Sequence, residues 1–226
     1  MTMAAAPAGK RQIAISAVDG KLVLDKGAIK VINHGERDGA MLYDLSVFPP
    51  REVGYLAMPT SLAGPPQSAA VSPDQTLALV TAAQKTDPTN PARTVPDTRV
   101  TVIDIASEPA RITQTLTAGL GAEGVSFSPD GSMAVVANRN DGTLSVFCVE
   151  GKTLLQTATV PVGDSQCQPA STAFTPDGAT LLVSATVITS YPSSMWPMVK
   201  SKRLDATSAP ASNPMAWRSH PTASLR

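Results

Sequence analysis

A four-residue turn sequence recurs three times in this chain, and it limits the possible folds more than any other feature. Ser128-Pro129-Asp130-Gly131 is preceded by Ser72-Pro73-Asp74-Gln75 and followed by Thr175-Pro176-Asp177-Gly178. The three prolines are 56 and 47 residues apart. Proline fixes φ at the second position of a tight turn, and aspartate at the third position bonds its own backbone. The recurrence therefore indicates a repeated structural unit.

Each of these turns lies between apolar runs that are typical of β-strands. A short run of small residues precedes the turn, and a longer run such as Met133–Ala137 follows it. Two further runs complete the unit, for example Thr143–Phe147 and Leu154–Val160. The pattern predicts four antiparallel strands per unit, which at about 45 residues is typical of a β-propeller blade. No stretch has the spacing of an amphipathic helix, so the predicted fold class is all-β.

The predicted propeller covers residues 12–184 and contains about three to four blades. Residues 83–98 form a polar excursion with three prolines, which are excluded from central strands. We expect a disordered N-terminus at 1–11 and an irregular tail at 185–226. The predicted units are about 12–66, 67–123, 124–168 and an incomplete 169–184.

The C-terminal tail breaks the repeat pattern. It lacks glycine and contains both tryptophans, Trp196 and Trp217. One interpretation is a disordered extension. The other is a slip of the reading frame near Ala185, because methionine and tryptophan have single codons and the neighbouring frame across 194–198 can encode Asp-Val-Ala-Asp-Gly. This five-residue sequence is similar to the strand and turn at 146–151.

Charge and hydropathy exclude several classes of partner. The 18 basic and 18 acidic residues leave no net charge, whereas nucleic acids and anionic membranes require a basic face. No apolar run approaches the roughly 20 residues that span a bilayer. The N-terminus lacks the apolar core of a signal peptide, which predicts a cytoplasmic protein. Alternatively, Ala4–Gly9 is the remnant of an export signal, and the protein is periplasmic or secreted.

The repeat resembles a known propeller family. Val135-Val136-Ala137-Asn138, which follows the turn and precedes Thr143–Phe147, is similar to the YVTN-type β-propeller repeat. That family includes seven-bladed, lactonase-like propellers related to 6-phosphogluconolactonase and carboxymuconate cyclase. A seven-bladed ring needs on the order of 315 residues, so the resemblance implies a truncated arc. Exposed blade edges in such an arc would permit self-association.

The candidate ligand site follows from the order of strands in a blade. Propeller ligands bind where loops converge on the central axis, and these loops lead into the innermost strand or join the second strand to the third. The candidates are Glu123, Asn138, Arg139 and Asn140, which would offer a carboxylate, a guanidinium and amides to a small polar ligand. Alternatively, Asn140 is a turn residue and Arg139 a solvated charge.

The sequence gives little support to metal or cofactor chemistry. Only two histidines occur, His34 in a polar loop and His220 in the tail, and no phosphate-binding glycine motif is present. We therefore predict no cofactor and no metal, and the catalytic residues are unknown. The predicted function is a binding or interaction scaffold for a small polar ligand or a protein partner, in the form of a poorly active fragment. The family resemblance implies the alternative, a lactonase-like hydrolase or isomerase acting on a small lactone or carboxylate.

Overall fold

The computed structural model describes residues 12–32, 38–62, 67–163 and 166–187, together with the backbone of 202–206 and 217–219. These residues form β-strands joined by turns and contain no helix, which confirms the predicted all-β class. A helix able to cross a membrane is accordingly not found in this part of the chain. Residues 1–11, both histidines and most of the predicted irregular tail lie outside the described residues.

Blade 1, the N-terminal sheet, has three strands. The first five strands of the chain are β1 (Ile13–Val18), β2 (Leu22–Asp25), β3 (Ala28–Val31), β4 (Gly39–Asp44) and β5 (Arg51–Ala57). The sheet has the antiparallel order β1-β4-β5, whereas β2 pairs only with β3 in a separate hairpin. Leu22–Asp25 is thus a strand, but it does not belong to the main sheet of its unit.

Three four-stranded antiparallel sheets follow, and in each the spatial order is the chain order. In each of these sheets the Pro-Asp turn joins the first strand to the second. This arrangement confirms the predicted partial β-propeller. Blade 2 contains β6 (Ala69–Val71), β7 (Leu77–Asp87), β8 (Asn90–Asp104) and β9 (Arg111–Thr117); blade 3 contains β10 (Ala122–Phe127), β11 (Met133–Asn138), β12 (Thr143–Glu150) and β13 (Thr153–Pro161); blade 4 contains β14 (Cys167–Phe174), β15 (Thr180–Val187), β16 (Lys202–Ala206) and β17 (Trp217–Ser219).

The Pro-Asp turn is held together by its own side chains. The Ser128 hydroxyl donates to Asp130 Oδ1 at 2.6 Å and accepts the backbone N–H of Met133 at 3.0 Å. Hydrogen bonds from the Ser128 hydroxyl and from Ser132 lower the pKa of Asp130. Gly131 has a φ of 73°, which glycine adopts without strain. The repeated sequence therefore specifies the turn locally.

Apolar side chains fill the space between successive blades. Leu42 of blade 1 belongs to one buried cluster with Val80 of blade 2, and Leu79 of blade 2 belongs to another with Phe147 of blade 3. Leu144 and Leu181 belong to a third cluster, between blades 3 and 4. Because blades 2 and 3 have a neighbour on each side, both faces of their sheets are buried. This explains why the apolar runs of their second strands are continuous and do not alternate.

The predicted proline-rich excursion is a β-hairpin. Strands β7 and β8 continue to pair beyond the rest of blade 2, with Gln84 opposite Pro96 and Thr86 opposite Thr94. In a two-stranded ribbon each strand has one free edge, so a proline can point its nitrogen away from the partner. The hairpin β2–β3 lies between β1 and β4, and its strand β3 contacts β8. Blades 1 and 2 therefore each have a hairpin between two neighbouring strands of the main sheet, β1 and β4 in blade 1 and β7 and β8 in blade 2.

A buried carboxylate links blade 2 to blade 3. Asp104, at the end of β8, is fully buried and accepts a 2.6 Å hydrogen bond from Lys152 Nζ of blade 3. The backbone N–H groups of Ala106 and Ser107 donate to the same carboxylate at 3.1 Å. Burial opposes ionisation of Asp104, but the Lys152 ammonium and the backbone donors outweigh it, and the pKa of Asp104 lies below its usual value.

We expect Asp104→Asn to lower the free energy of unfolding by about 2 kcal/mol at neutral pH, because charge-assisted hydrogen bonds are lost. A carboxylate with a lowered folded-state pKa stabilises the protein above its unfolded-state pKa, and this contribution is lost as the pH falls through the folded-state pKa. The difference between variant and wild type should therefore shrink in acid. Urea denaturation over a pH series measures it, with Glu150→Gln, which changes an exposed carboxylate of blade 3, as a control that changes little. A loss that stays constant with pH would contradict this account.

Candidate functional site

The first strands of blades 2, 3 and 4 line a concave surface. Strands β6, β10 and β14, together with residues of the first two Pro-Asp turns, border an open depression of about 390 Å³. The lining consists mainly of small and apolar side chains, such as Ala70, Val125 and Ala173. Ser126 and Thr172 are an exception, because their hydroxyl oxygens lie 2.8 Å apart and link blade 3 to blade 4. These strands are therefore the innermost strands of the arc.

An antiparallel meander places its connections at two opposite ends. The Pro-Asp turns and the connections between third and fourth strands lie at one end. The connections that lead into the innermost strands, and those that join second to third strands, lie at the other end. Glu123 at the start of β10 and Arg139 directly after β11 both belong to this second end.

Glu123 and Arg139 form an ion pair. Arg139 Nη1 donates to both carboxylate oxygens of Glu123, each at 3.2 Å. The Glu123 side chain is 10% exposed and that of Arg139 is 36% exposed. Burial raises the pKa of the Glu123 carboxyl above its ordinary value, and the charge of Arg139 opposes this only in part. A half-exposed guanidinium thus holds a carboxylate whose proton affinity is increased, a combination that is common in catalytic sites.

The backbone around this pair is fixed by neighbouring segments. The Thr81 hydroxyl of blade 2 donates to the backbone carbonyl of Glu123. The N–H of Arg139 donates to the carbonyl of Gly121 at 2.9 Å. Gly121 has a φ of 72°, and a Cβ at this position would overlap Oδ1 of Asn140. The turn before β10 therefore requires glycine and packs directly against the loop that carries Arg139.

The two candidate asparagines occupy different environments. Asn138 is fully buried, and its Nδ2 donates to the hydroxyls of Thr143 and Ser145 at 2.9 Å. Its Oδ1 is buried without a hydrogen-bond partner. Asn140 is exposed, and its side chain lies against Gly121. The structure thus brings Glu123 and Arg139 together, while the Asn138 amide is directed to β12 within blade 3.

A second charged cluster lies at this end of blade 2, and the sequence pattern did not indicate it. Asp97 is 3% exposed, with Arg99 Nη2 at 3.1 Å and Lys85 Nζ at 3.9 Å from its carboxylate oxygens. Its backbone carbonyl accepts the N–H of Gly121 at 2.8 Å. Asp97 lies in the stretch predicted as a surface excursion. Pairing 84–87 with 90–96 as a hairpin would have placed Lys85 close to Asp97.

The described residues offer no cluster of three or more histidine, cysteine, aspartate or glutamate side chains with the arrangement of a metal site. Two carboxylates at this end of the arc, those of Glu123 and Asp97, are instead paired with arginine or lysine. Such pairs bind and polarise a polar substrate through hydrogen bonds and charge alone.

Comparisons with known proteins bear on the fold. Neither a protein-family model nor a curated protein sequence matches the chain. Among solved structures, an inferred 6-phosphogluconolactonase of Bacteroides uniformis is 16% identical, with a TM-score of 0.53, over 91% of this chain and 56% of that protein. The periplasmic gluconolactonase PpgL of Pseudomonas aeruginosa is 18% identical, with a TM-score of 0.51, over 84% of this chain and 52% of that protein.

A second inferred 6-phosphogluconolactonase, from Bacteroides fragilis, is 13% identical, with a TM-score of 0.50, over 94% of this chain and 67% of that protein. The chain thus spans about half to two thirds of the length of these structures. Identities this low establish the fold alone. The chain has a β-propeller fold and spans part of the length of these propellers.

Proposed function

We propose that the Glu123–Arg139 pair belongs to the active site of a hydrolase that opens a small lactone. The observation that carries the proposal is the half-buried ion pair at the end of the arc where the inner connections meet, with a carboxyl group of raised pKa. The lactonase-like fold of the chain supports the same reaction class. The two neighbouring cations of blade 2, Lys85 and Arg99, add positive charge at this end and favour a substrate with anionic or hydroxyl groups.

In this proposal Glu123 acts as a general base. It would remove a proton from water, and the hydroxide oxygen would form a bond to the lactone carbonyl carbon. Arg139 would donate hydrogen bonds to the oxyanion that forms. The ring C–O bond then breaks, and the proton returns from Glu123 to the leaving alkoxide, which yields a hydroxy acid. A carboxylate with a raised pKa is a stronger base than an ordinary glutamate, which suits this role.

A binding scaffold without a reaction is the second candidate. The hairpin formed by Gln84–Pro96 of blade 2 extends beyond the rest of its sheet, and beyond Gln84 its two strands pair with each other and with no further strand of the described residues. Strand edges of this kind bind extended peptides by adding a strand. In that case Glu123 and Arg139 only stabilise the connection into β10.

We expect Glu123→Gln to lower kcat/KM for hydrolysis of glucono-1,5-lactone by about 100-fold or more, because general-base assistance is lost. Glu150→Gln changes an exposed carboxylate of the same blade and serves as the matched control. Wild-type activity should rise with pH through the raised pKa of Glu123, and this limb should disappear in the variant. The rate of ring opening, followed by acid release, measures both effects. Equal rates for the wild type and for both variants, with all three folded, would exclude the catalytic role and favour the scaffold.

A further inference from the structure

Blades 1 and 2 end their last but one strand with the same arrangement of charges. Asp44 is the last residue of β4 and lies opposite Arg51 of β5. Asp104 is the last residue of β8 and lies opposite Arg111 of β9. The Oδ1 atom of each aspartate accepts the backbone N–H of the residue two positions later, at 2.9 Å in blade 1 and at 3.1 Å in blade 2. The two aspartates are therefore equivalent positions of the repeat.

The aspartate of blade 2 binds an ammonium group that comes from the following blade. Lys152 Nζ lies 2.6 Å from Asp104 Oδ2, and Lys152 stands directly before β13, the last strand of blade 3. The residue directly before β9, the last strand of blade 2, is Ala110. The repeat thus places Ala110 towards Asp44 as it places Lys152 towards Asp104.

Asp44 and Ala110 border one open depression between blades 1 and 2, with a volume of about 600 Å³. We call it the blade 1–2 depression. Leu42 and Val53 of blade 1 also line it, so part of its wall is apolar. In the next interface the alkyl chain of Lys152 runs from blade 3 to the equivalent carboxylate. The blade 1–2 depression therefore combines a carboxylate with an apolar wall where an alkyl chain can lie.

The charge of the depression favours a cation. Its lining includes three carboxylates, those of Asp44, Glu52 and Glu108, and one guanidinium, that of Arg51. Because no group of three such side chains among the described residues has the arrangement of a metal site, the cation that fits is organic.

Asp44 has the capacity to bind a further donor. Asp44 is 9% exposed, and Arg51 Nη2 lies 3.9 Å from its Oδ2. The side chain of Arg51 is 71% exposed, and an ion pair with so exposed a partner contributes little. A carboxylate accepts about four hydrogen bonds. A ligand ammonium can therefore join the existing donors of Asp44, as Lys152 joins those of Asp104.

We propose that the blade 1–2 depression binds a primary alkylammonium group. The ammonium donates to the Asp44 carboxylate, and the alkyl chain lies along Leu42, Val53 and Ala110. This is the chemistry of a lysine side chain of a partner or of a small free amine. The site is separate from the Glu123–Arg139 pair, because the connections between third and fourth strands lie at the opposite end of the arc.

Titration of the full chain with n-butylamine, which is an ammonium ion at pH 7, tests this proposal. We expect the amide signals of Ser46 and Ala110 to shift in NMR spectra, with a dissociation constant on the order of 1 mM. Butan-1-ol has the same chain without the charge and should bind about 10-fold more weakly or worse. A blocked Gly-Gly-Lys-Gly-Gly peptide distinguishes the two sources. Affinity equal to that of butylamine assigns the site to a partner lysine, and affinity about 10-fold lower assigns it to a free amine.

Two variants locate the binding. Asp44→Asn should weaken the binding of butylamine about 10-fold or more, because the charge-assisted hydrogen bond is lost. Ala110→Lys supplies the ammonium from the chain itself, as Lys152 does for Asp104, and should abolish the binding without lowering the urea midpoint. Ala92→Lys adds the same charge to the exposed hairpin at the other end of blade 2 and is the matched control, with unchanged affinity.

Three results would overturn the proposal. No shift changes at up to about 50 mM butylamine would exclude the site. Equal affinities for butan-1-ol and butylamine would show an apolar groove without selectivity for ammonium. Unchanged butylamine affinity in folded Ala110→Lys protein would place the amine elsewhere on the molecule.

Discussion

Phe147→Ala is expected to lower the free energy of unfolding by about 4 kcal/mol, within the range for deleting a large buried aromatic side chain. Phe147 is 1% exposed and belongs to the apolar cluster between blades 2 and 3. Its replacement by alanine leaves a cavity between two sheets. The remaining contacts between these sheets prevent them from moving closer and filling the cavity. The decrease in the free energy of unfolding should therefore be close to the sum of two terms, the lost burial of the side chain and the unfilled cavity.

Urea denaturation followed by fluorescence and by circular dichroism measures this change. Leu155→Ala removes an apolar side chain of comparable type from the same blade, but Leu155 is 62% exposed. We expect the control to change the stability by less than about 0.5 kcal/mol. Similar losses for the two variants would mean that blades 2 and 3 are not packed face to face.

Gly124→Ala is expected to destabilise the protein by about 3 kcal/mol, although it adds only one methyl group. Gly124 lies in β10, and a Cβ there would overlap the backbone carbonyl oxygen of Ala170 and lie 2.8 Å from Cα of Ser171 in β14. Both contacts are with backbone, which cannot rotate away as a side chain can. Blades 3 and 4 would have to separate at their innermost strands.

Gly54→Ala is the matched control for this effect. Gly54 also lies in a strand, but the nearest atom to its Cβ position is Cδ1 of Leu42 at 3.6 Å, an ordinary contact distance. Thermal unfolding gives the loss of stability for both variants. It thereby compares a glycine at a close approach of two backbones with a strand glycine that has room for a methyl group. If Gly124→Ala had the stability of Gly54→Ala, the close approach of β10 to β14 would be wrong.

The fold was predictable from sequence because its information is local and repeated. Each Pro-Asp turn is fixed by hydrogen bonds within about five residues, such as those of Ser128. The continuous burial of Leu77–Ala83 was visible as an unbroken small and apolar run. Blade 1 was harder to predict, because β2 has the composition of a blade strand but pairs with β3 outside the sheet. Which strands share a sheet is decided by tertiary contacts that the local pattern does not contain.

The candidate site was predictable only in part. Glu123 and Arg139 were placed together by strand order alone, and the structure shows them in contact. The direction of the Asn138 side chain depends on the register of β11 with β12, where its partners are Thr143 and Ser145, and composition does not reveal this. Asp97 was missed because the prolines before it, Pro88, Pro91 and Pro96, concealed a strand.

A disulfide between blades 3 and 4 tests the central claim, that successive blades stack with their innermost strands side by side. The hydroxyl oxygens of Ser126 and Thr172 are 2.8 Å apart, so two sulfur atoms at these positions can approach the disulfide distance of about 2.05 Å. The measurement uses S126C/T172C in a C148A/C167A background, with S132C/T172C as a control, because Ser132 lies in the exposed turn before β11. We predict that the first pair forms an intramolecular disulfide in the monomer, detected as a mass lower by two hydrogens and resistance to alkylation. Two freely alkylated thiols in a folded S126C/T172C protein would contradict the stacked arrangement.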